Sequence, residues 1–364
     1  PSLKLGDRGA RVKMVRERLT LWGDLDPDAD GPDPTAFDAP LDAAVKRFQQ
    51  RHGLKVDGVI GRASLGQLNV TATTRVQQIL LNMERRRWMV DKFEPRYVFV
   101  NLADFFLKVV DTAGDREKTV FTTQVVVGKP YHQTPEFSHA IRYLVLNPYW
   151  NVPISIARNE IFPKIQEDPG YLARKNFVLL SDWGKNAYEV DPYSVDWHSM
   201  TPREFGFRLR QGPGPGNALG RIKFMFPNRH NIYLHDTPSR SLFERTRRTF
   251  SHGCIRVKDP AAFAEVLLAW QSGWSRGRID RSIDEGRRRV VSLAEPIPVH
   301  LAYITAWANK DGTVHFRDDV YGRDKMLARA LLGRELGQVS RQYMRARPLV
   351  SVEDPNSDMT LALD

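Results

Sequence analysis

Ser251-His252-Gly253-Cys254-Ile255-Arg256 is the stretch whose reading decides the fold and the chemistry of this chain. It holds the only cysteine among 364 residues. A solitary thiol has no intramolecular disulfide partner, so it either packs inertly or reacts. Gly253 lets the backbone turn tightly beside the sulfur and lets a substrate approach it. A free thiol ionises at about pH 8.5, so little of it is thiolate at neutrality, and a nearby imidazole raises that fraction by taking the proton.

Two histidines compete for that task. His252 is two residues from Cys254; on a strand it points the same way but lies poorly for proton transfer. His235 ends the strand-like segment 231–235, in Tyr233-Leu234-His235-Asp236. A neighbouring strand would set it opposite the cysteine, so His235 is the preferred base and His252 a structural or substrate-contacting group. A carboxylate, a hydroxyl or a backbone carbonyl must hold the imidazole tautomer. Asp236 and Ser251 stand nearby in sequence, and Ser251 is the weak choice. Tyr233 falls on the same side as His235 and is expected to meet substrate.

Working outward, segments 97–111, 122–127, 141–146, 221–226 and 231–235 are rich in β-branched and aromatic residues and end at turn formers, so a β-rich domain is expected. Strand-like segments recur at 300–307 and 313–316. Between the strands lies an insertion over about 151–216, with a helix near 156–166 and a closing run, Gln211-Gly212-Pro213-Gly214-Pro215-Gly216-Asn217. Long insertions of this kind are often lids or binding loops. The run is no phosphate loop, because it lacks the GxxxxGK[ST] pattern and its prolines remove donors. Trp150 and Asn217 flank the insertion. Trp150 is expected to line a groove or to pack in a core, Asn217 to orient a substrate amide or to cap a turn. A helix follows over 260–270 with proline at its start.

Residues 1–70 read as a small helical module. Val12, Val15, Leu19 and Trp22 share one helix face, and Leu41, Ala44, Val45 and Phe48 another. Asp38 caps the second helix, Gly53 stops it, and a short helix follows over 63–68. Residues 71–95 suggest a connecting helix whose stripe Val76, Ile79, Leu80 and Met83 is expected to pack into a core. The catalytic region is bounded at 96–323, and 324–364 is read as a terminal helix, near 324–336, and a tail.

The chain carries 54 Lys and Arg against 43 Asp and Glu, a net charge of +11. A basic surface favours anionic partners such as an acidic polymer. No nucleic-acid-binding motif accompanies it, so nucleic acid is not expected as a partner. The nine histidines are scattered, with no HExxH or cysteine pair, so no metal is expected, and no nucleotide or other cofactor fingerprint appears. No run of about 18 apolar residues occurs. The chain opens at Pro1 without a signal-like segment, which leads to the expectation of a processed form whose membrane attachment was lost with an N-terminal segment.

The motif Ser251-His252-Gly253-Cys254-Ile255-Arg256, with His235 upstream, resembles the signature of the L,D-transpeptidase (YkuD) catalytic domain. Pro215-Gly216-Asn217-Ala218-Leu219-Gly220-Arg221-Ile222-Lys223-Phe224 and Tyr233-Leu234-His235-Asp236-Thr237-Pro238 are similar to its large Gram-negative branch, the YcbB type. Leu5-Gly6-Asp7-Arg8-Gly9, Phe48-Gln49 and Asp57-Gly58-Val59-Ile60-Gly61 resemble a peptidoglycan-binding type 1 domain. The resemblance implies an α+β chain: a β-rich, sandwich-like catalytic domain with a helical lid, and a three-helix wall-binding domain. It implies that Cys254 attacks a diaminopimelate–D-alanine bond in a tetrapeptide stem, expels D-alanine, and passes the stem to an amine of a second stem as a 3→3 cross-link. His235 would be base and then acid, the N–H groups of Gly253 and Cys254 oxyanion donors, and Arg256 and His252 would order the motif. A serine or glycine follows the base histidine in some members; Asp236 does so here. Peptidoglycan is the implied partner, carbapenems the implied covalent inhibitors, and the periplasm the implied location. Water as acceptor would make the same cysteine an L,D-carboxypeptidase, and a non-catalytic wall-binding scaffold is the third reading.

Overall fold

The N-terminal residues form four helices in sequence: α1 (Ala10–Leu21), α2 (Ala39–Arg51), α3 (Arg62–Leu68) and α4 (Ala72–Trp88). They belong to a computed structural model that describes residues 2–29, 33–89, 93–113 and 116–333. The apolar spacing of α1 and α2 buries Val12, Val15, Leu19, Leu41, Ala44, Val45 and Phe48 in one core with Leu25, Phe37 and Leu68. Trp22 falls just past the end of α1 and is half-buried. The Asp38 carboxylate accepts from Leu41 N–H at 3.1 Å, satisfying an otherwise unpaired donor at the start of α2.

Helix α4 reverses the expected burial. Val76, Leu80 and Met83 are 54–60% exposed, and Arg75, Gln77, Gln78, Leu81, Asn82 and Arg85 face inward. The period was read correctly, but the inward stripe is polar because buried partners satisfy it. Gln78 donates to the carbonyls of Thr305 and Arg317. Asn82 exchanges hydrogen bonds with Thr305, and Arg85 pairs with Asp324. A fully partnered polar face is as buriable as an apolar one.

The second unit, Phe93–Ala302, contains the large sheet. Its strands are β1 (Arg96–Asn101), β2 (Phe106–Ala113), β3 (Arg116–Gly128) and β4 (Phe137–Leu146), then β5 (Trp150–Asn151), β6 (Phe177–Leu180) and β7 (Arg208–Gln211) in the insertion, and β8 (Ile222–Met225), β9 (Leu234–His235), β10 (Thr249–Ser251), β11 (Ile255–Val257) and β12 (Arg289–Ala302). The sheet order is β10-β3-β11-β9-β8-β4-β12-β1-β2. Strand β2 also pairs with β3 along its length, so the two faces of the expected sandwich are joined by a closing edge. Closure leaves fewer free strand edges to pair with other chains.

The insertion folds on a core of its own. Val152, Ile161, Phe162, Ile165, Leu172, Trp197, Phe205 and Leu209 are buried together. The expected helix runs as Ile154–Ile156, a π-helical segment Ala157–Ile161, and Phe162–Glu167. Strands β5, β7 and β6 form a separate small sheet.

After β12 the chain returns to the first unit, which comprises Pro1–Lys92 and Tyr303–Asp364. Strands β13 (Ala306–Ala308) and β14 (Val314–Phe316) and the helix Arg323–Leu332 lie there. The boundary expected at 323 therefore falls at 302, because Thr305, Arg317 and Asp324 supply the partners of α4. The tail expected beyond this helix lies outside the described residues from 334 on.

Candidate active site

Three short, adjacent strands of the large sheet build the site. Strand β11 runs parallel to β9, with Ile255 opposite Leu234 and Arg256 opposite His235. Strand β8 runs antiparallel to β9 on its other side, with Lys223 opposite His235. Residues directly opposite share a face of the sheet. Lys223, His235 and Arg256 thus stand abreast, with the imidazole between two cations.

Cys254 enters from the turn before β11. Gly253 adopts φ +111°, a conformation that disfavours any side chain, and a Cβ there would lie 3.3 Å from Ile232 Cδ1. Ser251 Oγ fastens the turn by donating to Cys254 O at 2.5 Å and accepting from Gly253 N–H at 3.1 Å. Thr134 Oγ1 donates to Gly253 O at 2.7 Å. The thiol is half-buried and 3.8 Å from Asn231 O, with Tyr233 among the groups that act on it. Burial holds the thiol above its ordinary value, and Tyr233, Lys223 and Arg256 offset only part of that rise. The Tyr233 phenol is held protonated by burial and by the neighbouring thiolate charge, so it serves as a donor.

His235 is 5% exposed. Its Nδ1 lies 2.5 Å from Asp236 O. A carbonyl only accepts, so Nδ1 carries the proton and Nε2 is the free acceptor. Burial, followed by Arg256, brings its pKa down from 6.5 to about 3, so the ring is neutral. The tautomer is therefore set by the Asp236 carbonyl and not by Ser251, whose hydroxyl is committed to the turn. The Asp236 carboxylate turns away to Arg221 N–H, Thr237 N–H and Arg240. It fits there because Gly220 lacks a Cβ, which would come 2.3 Å from the carboxylate.

The remaining expected residues divide. His252 Nε2 meets Glu160 Oε1 of the insertion at 2.6 Å, and its ring centroid lies 4.9 Å from that of His132. His252 thus ties the motif to the insertion. Tyr233 and Arg256 lie at the thiol. Asn217 and Trp150 do not. Asn217 is 1% exposed and fully engaged, donating to Pro148 O and Gly212 O and accepting from Leu219 N–H. Nothing remains of it for a substrate amide. Trp150 packs against the core of the insertion and faces Phe177 at 6.1 Å. Likewise Gly253 N–H, expected as an oxyanion donor, is taken by Ser251. Sequence reasoning missed Glu160 and Lys223. Glu160 carried no signal. Lys223 stood in the Ile222-Lys223-Phe224 segment, and only the strand register shows that it abuts His235.

Among the described residues, no group of three or more histidine, cysteine or carboxylate side chains is placed to hold a metal ion. No described helix is long and apolar enough to cross a membrane.

The family described as YkuD, the L,D-transpeptidase catalytic domain, matches residues 95–291. A second, described as a putative peptidoglycan binding domain, matches residues 8–68. A putative L,D-transpeptidase of Haemophilus influenzae is 34% identical over 251 residues, covering 69% of this chain and 49% of that protein. The chain thus spans about half the length of that curated relative. The N-acetylmuramoyl-L-alanine amidase CwlM of Mycobacterium tuberculosis is 44% identical over 71 residues, 17% of each chain. Among solved structures, an L,D-transpeptidase from Stackebrandtia nassauensis is 15% identical with a TM-score of 0.30, over 85% of this chain and 97% of that one.

Proposed function

We propose a reaction from one established premise: the chain belongs to the L,D-transpeptidase catalytic-domain family and carries a peptidoglycan-binding domain beside it. The reaction is cysteine acyl transfer between peptidoglycan stems. Cys254 Sγ attacks the carbonyl of a diaminopimelate–D-alanine bond while His235 Nε2 takes the thiol proton. The C–S bond forms, the C–N bond breaks, and D-alanine leaves with the proton returned by His235. An amine of a second stem then attacks the thioester, its proton passes to His235, and the thiol is restored as the 3→3 cross-link forms.

The observation that carries this reading is the neutral, carbonyl-anchored imidazole of His235 on the strand beside the one that follows a half-buried thiol. With Gly253 N–H engaged, the oxyanion donors in this reading are Cys254 N–H and the Tyr233 hydroxyl. A carbapenem acylates the same sulfur, because its strained carbonyl meets the same nucleophile and donors. The wall-binding domain supports a location where peptidoglycan lies, the periplasm of a Gram-negative cell. Hydrolysis by the same thioester is the second reading: the half-buried thiol leaves room for water as well as amine.

The test is incubation with disaccharide-tetrapeptide and mass spectrometry. A dimer lacking one D-alanine is expected from the wild type, and Cys254→Ala is expected to lose turnover by at least ~10³-fold. Tripeptide alone would replace transfer by hydrolysis, and unchanged turnover in the variant would remove Cys254 from the chemistry.

A further inference from the structure

Lys223 and Arg256 present a physical anomaly. Both are half-buried cations. Neither has an ion pair with a carboxylate among the described residues, although such pairs are common there, as in Arg51–Asp24, Arg85–Asp324 and Arg289–Glu285. Arg256 Nε is buried without a hydrogen-bond partner. The Lys223 ammonium lies 3.7 Å from the centroid of the Tyr233 ring, which holds the lysine in place. Arg288 adds further positive charge to the surroundings of Lys223. Burying unpaired cations is costly unless something pairs them. Here they flank one imidazole and one thiol, where a substrate must come.

We propose that Lys223, with Arg256 beside it, is the carboxylate-binding residue of the acyl-donor site, and that it selects donors carrying a carboxylate within one residue of the scissile carbonyl. The inference rests on the acyl-transfer reading above and assigns its donor specificity to a particular side chain. The cross-strand row gives the geometry: a carboxylate bridging Lys223 and Arg256 passes the face of His235 and brings the neighbouring carbonyl to Cys254. The same carboxylate offsets the two positive charges that oppose a proton on the imidazole, so the right donor also makes His235 a better proton acceptor. A neutral donor does neither.

The experiment compares two thiol reagents of nearly equal size, iodoacetate and iodoacetamide, on the whole chain, with each rate divided by that for glutathione. The wild type is expected to favour the anionic reagent by about tenfold, the scale of one partly desolvated charge pair. Lys223→Met is expected to lose most of that preference while still reacting with iodoacetamide, and Lys223→Arg to keep it. The reagent ratio cancels any change in thiol ionisation, and a urea melt of each variant serves as the control for folding. In parallel, a tetrapeptide donor with a C-terminal amide should show a raised KM in the wild type but not in Lys223→Met. An unchanged reagent ratio in Lys223→Met overturns the inference, whatever the turnover. A lost ratio together with absent turnover overturns the transfer reading and leaves the carboxylate site standing.

Discussion

Two buried histidines of this chain, His52 and His235, are near-copies in environment and opposites in setting. Each is 5% exposed. Each bonds a backbone carbonyl through Nδ1: Phe48 O at 2.9 Å and Asp236 O at 2.5 Å. Each is neutral, its pKa brought down from 6.5 by burial and then by nearby cations, to about 2 for His52 and about 3 for His235. They differ in what lies around the ring. His52 sits between Phe48 and Phe316, at centroid distances of 4.0 and 5.6 Å. Its cations are answered: Arg51 forms a two-pronged pair with Asp24, and Arg75 donates to Gln67 and Gln78 and lies over Phe316. Around His235 the cations lack a carboxylate among the described residues, and a thiol and a phenol stand in place of the packed rings. A buried, tautomer-fixed, cation-lined histidine is therefore not yet a base. In the acyl-transfer reading proposed above, the unanswered charges and the neighbouring thiol make it one.

The largest expected effect separates the two rings by function. His235→Gln should lower turnover by about 10³-fold, the loss typical of a missing general base. His52→Gln should leave the rate of the folded enzyme within about twofold while lowering stability by roughly 2 kcal/mol, through lost packing against Phe48 and Phe316. Turnover and a urea melt on both variants check this, and a rate loss in His52→Gln would erase the contrast. A second pair of variants acts on the cations. Asp24→Asn leaves Arg51 charged and unanswered in a buried place and should cost about 3 kcal/mol. Arg256→Met removes a charge that had no carboxylate partner, so its stability change should be under about 1 kcal/mol, while Cys254 labelling slows. Equal losses of stability in both would mean that Arg256 is structurally paired after all.

Much of this was legible in the sequence, and the misses have separate physical causes. The proximity of the Cys254 motif to the His235 strand could be read because both end strand-like segments, and Gly253 because the tight turn there has φ +111°. The apolar spacing of α1 and α2 gave their buried faces directly. The stripe Val76, Leu80 and Met83 misled because burial in α4 is decided by partners far along the chain, Thr305, Arg317 and Asp324. Asn217 and Trp150 were drawn toward substrate by their place beside the insertion, yet both serve its internal structure. Lys223 was overlooked for the opposite reason: its role depends on a cross-strand register, which residue spacing does not state. Ser251 stood in the right motif, but its hydroxyl is spent on the turn, and the carbonyl next to His235 does the work assigned to it.

The smallest effect is a matter of protons, and it tests the comparison most directly. Both histidines titrate lower folded than unfolded, about 2 and about 3 against the unfolded 6.5. Between those limits the unfolded chain binds more protons than the folded one, so stability rises with pH across the window. The contribution of each ring is complete above about pH 6.5 and is lost as the pH falls from there toward the folded values. His52→Phe and His235→Gln should each reduce proton uptake on unfolding at pH 4–6 by about one. Acid therefore does not tell the rings apart, but an anion should. In Cys254→Ala, a dipeptide ending in D-alanine should raise the titration of His235, because its carboxylate answers Lys223 and Arg256. His52, whose cations are already partnered, should not move. Imidazole nitrogen shifts followed by NMR across pH 3–7 report both rings in one sample. A joint upward movement would mean a general salt effect, and movement of His235 alone ties its basicity to the charge that a donor brings.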